Sequence, residues 1–143
     1  ALVELEEVDG VMCGNDAIAG YAINALSEKQ MAGKVVVTGQ DADLEACQRI
    51  VEGTQAMTVY KPIERLAKVA AKCVVKLAKG EQIVGKDIGE NSVKTTDDGK
   101  EVPYWGLPPI AVTKENMDSV IIDLGFHLHD EVYLNVPEEN NQD

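Results

Sequence analysis

Three polar side chains stand at one kind of place in this chain: Asn15 at the end of VDGVMCGN, Asp41 at the end of KVVVTGQD and Lys61 at the end of AMTVYK. An amide donates and accepts hydrogen bonds, a carboxylate accepts and an ammonium donates, so together they suit a molecule rich in hydroxyls. An acid and a base could also move protons, but the sequence offers no electrophile, metal set or cofactor motif for them to serve. It has no nucleophile elbow, no GxGxxG after the first apolar run and no phosphate-binding loop. The expectation is a binding protein rather than an enzyme, with no cofactor.

Each of the three residues ends a short apolar run and precedes a helical pattern, which is the signature of successive βα units. In open α/β sheets the carboxyl edge of the strands is where ligands bind. Residues 8–15 read as the first strand and 16–30 as a helix with Ile18, Ala22, Ala25 and Leu26 at helical spacing. Asn15 and Asp16 are both good helix caps, so Asn15 can serve the helix as well as a ligand. Gly33 closes the helix, and residues 34–40 form a second strand whose run Val35, Val36, Val37 suits a strand covered on both faces.

Asp41 then heads a helix over residues 42–51, with Leu44, Cys47, Ile50 and Val51 on its apolar side. A carboxylate at a helix start gains roughly 0.3–1 kcal/mol from the dipole, so capping by Asp41 or Asp43 is an open alternative to ligand binding. Gly53 ends that helix, and residues 56–61 form a third strand in which Met57, Val59 and Tyr60 pack. Pro62 suits the first turn of a helix, where a missing N–H is no loss. An ammonium about 4 Å from the Asp41 carboxylate would be attracted by on the order of 4 kcal/mol at an effective dielectric of about 20.

The words GNDA, GQDAD and GTQAMTVYKPI, in this order, resemble the xylose-binding proteins of bacterial ABC sugar importers, in the type I periplasmic binding protein family, and the similarity runs over residues 8–126. The resemblance implies one α/β lobe, a three-layer sandwich with a mainly parallel sheet, of a protein whose two lobes close on a monosaccharide. It implies that residues 1–126 are the C-terminal sugar-binding lobe, that the N-terminal lobe is the missing partner, and that residues 127–143 are an extension. It also implies D-xylose as the sugar, an ABC permease or a membrane sensor as a further partner, and a periplasmic or cell-surface lipoprotein location. It implies sugar contact by Asp41, the aspartate of GQD, and favours contact over capping alone for Asn15, while Lys61 joins them from its place at a strand mouth beside Pro62. The chain departs from the family in carrying GND where SND is frequent, and in its acidic tail. A sensory binding protein and the effector domain of a lactose-repressor-type regulator share the fold and stay open as alternatives.

A chain of 143 residues, 45% hydrophobic, suits one domain with a real core. Its net charge of −12, from 13 basic and 25 acidic residues, would repel nucleic-acid phosphates and leave an uncharged sugar unaffected. Cys13, Cys47 and Cys73 are odd in number and embedded in apolar patterns, which argues for buried hydrophobes rather than a disulfide framework or metal site. No apolar run reaches the roughly 18 residues of a membrane span. Residue 1 reads as the tail of a helix.

Beyond the third strand the chain offers less chemistry. Residues 63–79 read as a helix with Leu66, Ala70, Cys73, Val74 and Leu77 as the buried stripe, Lys68, Lys72, Lys76 and Lys79 outward, and a Glu64–Lys68 pair. Residues 83–106 contain Gly85 and Gly89 and read as a β-hairpin turning at Asp98-Gly99; Trp105, the sole tryptophan, is assigned to packing. Residues 107–112 read as an edge strand because of Pro108-Pro109. Thr113 caps a helix with Met117, Val120, Ile121 and Leu124, ended by Gly125. His127, His129, Asp130 and Glu131 do not by themselves close a tetrahedral metal site, and residues 137–143 read as a disordered acidic tail.

Overall fold

Short β-branched runs alternating with helical stretches fold as βα units. The computed structural model describes residues 7–84, 92–104 and 106–137. Chain order is β1 (Gly10–Met12), α1 (Asp16–Glu28), β2 (Val36–Thr38), α2 (Leu44–Glu52), β3 (Thr58–Tyr60), α3 (Ile63–Ala78), β4 (Ser92–Thr95), β5 (Glu101–Tyr104), β6 (Ile110–Val112) and α4 (His129–Val132). Two units result, Ala1–Tyr60 with Ile110–Asp143, and Lys61–Pro109.

In the first unit β1 and β2 pair in parallel, Gly10 opposite Val36 and Met12 opposite Thr38. The parallel arrangement continues to β3 through the Thr38–Met57 bridge, the Gly39 N–H on the Met57 carbonyl at 3.1 Å and the Ala56 N–H on the Val37 carbonyl at 2.9 Å. β6 runs antiparallel to β3, with Tyr60 opposite Ile110. The order is thus β1-β2-β3-β6, with three parallel strands whose carboxyl ends share one edge.

Two apolar clusters hold this unit. Ala19, Ile23 and Leu26 of α1 pack with Cys13, Val35 and Val37. Burial of a side chain such as Leu26 is worth about 1.5–3 kcal/mol. The expected face is met in part: Leu26 is buried and Ala22 packs against the cluster, but Ala19 and Ile23 are buried in place of Ile18, which is 52% exposed, and Ala25, which is exposed too. On β2, Val35 and Val37 are buried but Val36 is 54% exposed. Alternation along the strand turns Val36 away from α1, so the expected covering of both faces is not met.

The second cluster joins Ala42, Cys47, Ile50 and Val51 to Tyr60, Val112, Met117, Ile121 and Val132. α2 begins at Leu44, with Asp43 in the cap position making no side-chain cap bond. The expected start at residue 42, headed by Asp41, is corrected because Asp41 and Ala42 take positive φ angles, 109° and 56°, which no α-helix admits. Gly53 closes α2 with φ 91° and gives its N–H to the Arg49 and Ile50 carbonyls.

The single helix expected after Thr113 is instead a 3-10 turn, Lys114–Asn116, followed by a π turn, Asp118–Ile122. Three consecutive β-branched residues, Val120, Ile121 and Ile122, crowd α geometry and favour such a departure. Met117 and Ile121 are nonetheless buried as expected, while Leu124 is exposed. Between residues 127 and 137 the chain keeps contacts with the rest of the first unit. Val132 of α4 is buried, Gln48 Nε2 donates to the Glu131 carbonyl at 2.8 Å and Asn135 Nδ2 to Glu52 Oε1 at 2.8 Å.

The second unit contains α3 and the hairpin β4–β5, in register from Ser92 opposite Tyr104 to Thr95 opposite Glu101. The turn falls at Asp98-Gly99 as the sequence predicts, with Gly99 at φ 82°. No residue of α3 is buried, so its apolar stripe is present without the burial expected of it. One helix and a two-stranded hairpin are too little material to enclose a core. Glu64 and Lys68 pair as expected on its exposed face. The helix tail at residue 1, Gly85, Gly89, Trp105 and the tail beyond residue 137 lie outside the described residues.

Candidate functional site

The carboxyl edge of the parallel strands is held by bonds between the loops that leave it. The Cys13 N–H meets the Thr38 carbonyl at 3.0 Å, and the Asp16 N–H meets the Gln40 carbonyl at 2.8 Å. Gln40 Nε2 donates to the Gly14 carbonyl at 2.9 Å. The loops carrying Asn15 and Asp41 therefore form one bonded rim.

Asn15 caps α1, its Oδ1 accepting the Ile18 N–H at 2.9 Å. The cap uses one oxygen lone pair, so what the amide has for a ligand is its NH2 group and the second lone pair. Asp41 is half-buried, and its N–H is fixed to the Val59 carbonyl at 2.9 Å. Lys61 is exposed, follows Tyr60 of β3 in the chain and opens the second unit. Asn15 and Asp41 thus belong to one unit and Lys61 to the other.

Asp41 rides on a strained turn. Left-handed backbone costs a non-glycine residue roughly 1–3 kcal/mol, and such strain persists only where surroundings over-determine it. Here they do. The Ala42 N–H donates to Thr58 Oγ1 at 3.2 Å, the Ala42 carbonyl faces His127 Nε2 at 2.8 Å and the Asp43 N–H donates to Asp16 Oδ2 at 3.0 Å.

Asp16 is the centre of these bonds, and sequence reasoning missed it by reading it as a cap. Only 1% exposed, it also receives the Thr58 hydroxyl on Oδ2 at 2.7 Å and Gln55 Nε2 on Oδ1 at 2.9 Å. Arg49 braces the group from outside, Nε donating to Gln55 Oε1 at 2.9 Å and Nη2 to the Asp16 carbonyl at 3.0 Å. A buried carboxylate is tolerable only when so satisfied. The signal available beforehand was slight: Thr58 interrupts the apolar word AMTVY, and Gln55 precedes it.

Gly39 explains part of the GQD word. A Cβ there would lie 2.1 Å from Asp16 Oδ1 and 2.9 Å from Gln55 Nε2, so only glycine lets the carboxylate sit against the strand end. The negative cluster is felt nearby. Burial foremost, then Asp16, Asp41 and Glu45, push the Asp43 carboxyl above its ordinary range, with Arg49 opposing. The Cys47 thiol is pushed up to about 12, chiefly by burial and then by Asp16 and Asp43.

A cleft of about 290 Å³ lined by Asp16, Ala17, Gly20, Asp43, Glu45 and Arg49 lies beside this cluster. A larger cavity of about 550 Å³ is lined by Lys114 and by residues of and after α4, including His129 and Tyr133. Neither includes Asn15 or Asp41. Asn15 and Asp41 are both partly exposed.

Residues 2–82 match the periplasmic binding protein domain, and the chain belongs to that family. Its α/β fold is that of one lobe of a type I periplasmic binding protein, as the solved carbohydrate transporter solute binding protein from Chloroflexus aurantiacus in complex with D-glucose illustrates. That structure is similar with a TM-score of 0.69 and 29% identity, over 85% of this chain and 34% of the other. Among particular relatives, the D-xylose-binding periplasmic protein of Haemophilus influenzae is 48% identical over 126 residues, which is 88% of this chain and 36% of that protein. The D-xylose-binding periplasmic protein of Escherichia coli is 44% identical over the same shares. The chain spans about a third of the length of these curated relatives.

Proposed function

We propose that this chain is the sugar-binding lobe of the solute-binding component of a bacterial ABC importer, with D-xylose as the ligand. Asn15, Asp41 and Lys61 are its hydroxyl partners: the amide gives donor and acceptor to neighbouring hydroxyls, the carboxylate accepts from one or two, and the ammonium donates. The single observation that carries the reading is the likeness to the D-xylose-binding periplasmic proteins, 48% and 44% identical over 126 residues. The bonded rim with Asp41 held in a strained turn supports it, because strain fixed by its surroundings is found where a side chain must be aimed.

The sugar sits between this lobe and a second, and closure of the two buries it. Ligand favours the closed shape by its differential affinity, and that shape is what the permease reads. Binding takes place outside the cytoplasmic membrane and leaves the sugar chemically unchanged. A net charge of −12 fits an uncharged ligand and disfavours nucleic acid.

One neutral hydrogen bond adds about 1 kcal/mol net, whereas micromolar affinity corresponds to about 8 kcal/mol. Half a site cannot supply that. Isothermal titration should therefore show D-xylose bound in the millimolar range at best by these 143 residues and at least a hundredfold more tightly by the full-length protein. Tight binding by the 143 residues alone would contradict the two-lobe mechanism.

A further inference from the structure

We propose that Asp16, a residue sealed from solvent, is the positioning residue of the sugar rim, holding the left-handed Asp41–Ala42 turn in the shape that aims Asp41. The inference rests on the sugar-binding reading above and adds a residue that does not itself meet the ligand.

Asp16 sits where the two rim loops meet. It follows Asn15 in the chain, and its own N–H binds the Gln40 carbonyl at 2.8 Å. Its side chain does the rest. Oδ2 takes the Asp43 N–H at 3.0 Å and the Thr58 hydroxyl at 2.7 Å. That hydroxyl in turn accepts the Ala42 N–H at 3.2 Å. Of the backbone N–H groups of residues 41–43, one is therefore held by Asp16 directly and one through Thr58.

Oδ1 is fixed by Gln55 Nε2 at 2.9 Å, and Gln55 by Arg49 at 2.9 Å. With donors on both oxygens and the bare Cα of Gly39 against them, the carboxylate has no room to rotate. An asparagine of the same shape could accept through one atom only and would turn an NH2 group toward a donor. With the NH2 group toward residues 43 and 58 the turn loses its acceptor directly, and with it toward Gln55 the bond that fixes the side chain under the turn is lost. Backbone strain released at residues 41 and 42 would carry the Asp41 carboxylate away from its ligand.

The test uses the full-length protein, with hydrogen exchange at the Ala42 and Asp43 amides in the free protein and titration with D-xylose. Asp16→Asn should speed exchange at both amides tenfold or more and weaken xylose tenfold or more. Thr58→Val should move both readings the same way and Thr58→Ser should restore them, which keeps the test decisive if Asp16→Asn fails to fold. Asp41→Asn should weaken xylose without altering exchange, and adding Asp16→Asn to it should weaken binding less than twofold further. Exchange unchanged from the parent, exchange that rises with affinity intact, or independent additive losses in the double variant would each overturn the inference. A parent that takes up no monosaccharide overturns the sugar reading and this role with it. Unchanged exchange in a parent that does bind overturns this role alone.

Discussion

His127 Nε2 lies 2.8 Å from the carbonyl oxygen of Ala42, across 85 residues of sequence. A carbonyl only accepts, so this ring nitrogen carries the hydrogen. The bond ties the segment after the π turn to the loop that carries Asp41. Phe126 adds contact on both sides, its ring 4.8 Å from Tyr60 and 4.6 Å from His127. His127→Ala should destabilise the protein by about 1–2 kcal/mol, the net loss of one hydrogen bond and an exposed carbonyl. A urea midpoint unmoved by the substitution would show that the contact is incidental.

Gly39→Ala should cost about 1–3 kcal/mol, because the added carbon would lie 2.1 Å from Asp16 Oδ1 and something must shift. Gly14→Ala is the control. It has open space around it and no positive φ, and its effect should stay within about 0.5 kcal/mol. Equal midpoints for the two variants in chemical denaturation would refute the steric account of the GQD word.

The three cysteines should differ in reactivity. Cys13 and Cys47 are buried and Cys73 is partly exposed on α3. Burial raises the Cys13 thiol too, helped by Asp16. Alkylation near neutral pH should label Cys73 well before the other two, as peptide mapping of the labelled protein would reveal. Prior labelling of Cys47 would place α2 wrongly.

Stability should fall in alkali through Cys47. Its folded value of about 12 lies above the ordinary thiol value of 9.0. Below that ordinary value the thiol keeps its proton folded or unfolded, so its full contribution is present. Between the two values the unfolded chain loses the proton first, and stability declines as pH rises. Urea midpoints taken from pH 8 to about 11 should drop more steeply for the parent than for Cys47→Ala. Parallel slopes would exclude the thiol as the cause.

What the sequence disclosed was local. Gly53, Gly99 and Gly125 punctuate helices and a turn through their own positive φ, and the βα alternation of residues 8–60 follows from composition over short windows. Helix α1 shows where local reading stops. Ala17, Ile18, Ala19, Ala22, Ile23 and Ala25 offer apolar residues on more than one face, so the pattern admits two registers and packing chose Ala19 and Ile23. Asp16 shows the same limit for the site. Its partners Gln55 and Thr58 lie 39 and 42 residues away, beyond any cap or turn rule, so a tertiary hub looked like a helix start.

The most direct measurement is calorimetric titration of D-xylose into the full-length protein and into its Asp41→Ala and Lys61→Met variants. The account predicts submillimolar binding by the parent and losses of roughly a hundredfold, or about 2.7 kcal/mol, for each variant, as expected when a charged hydrogen-bonding partner is removed. Parent-like affinity in both variants would contradict it.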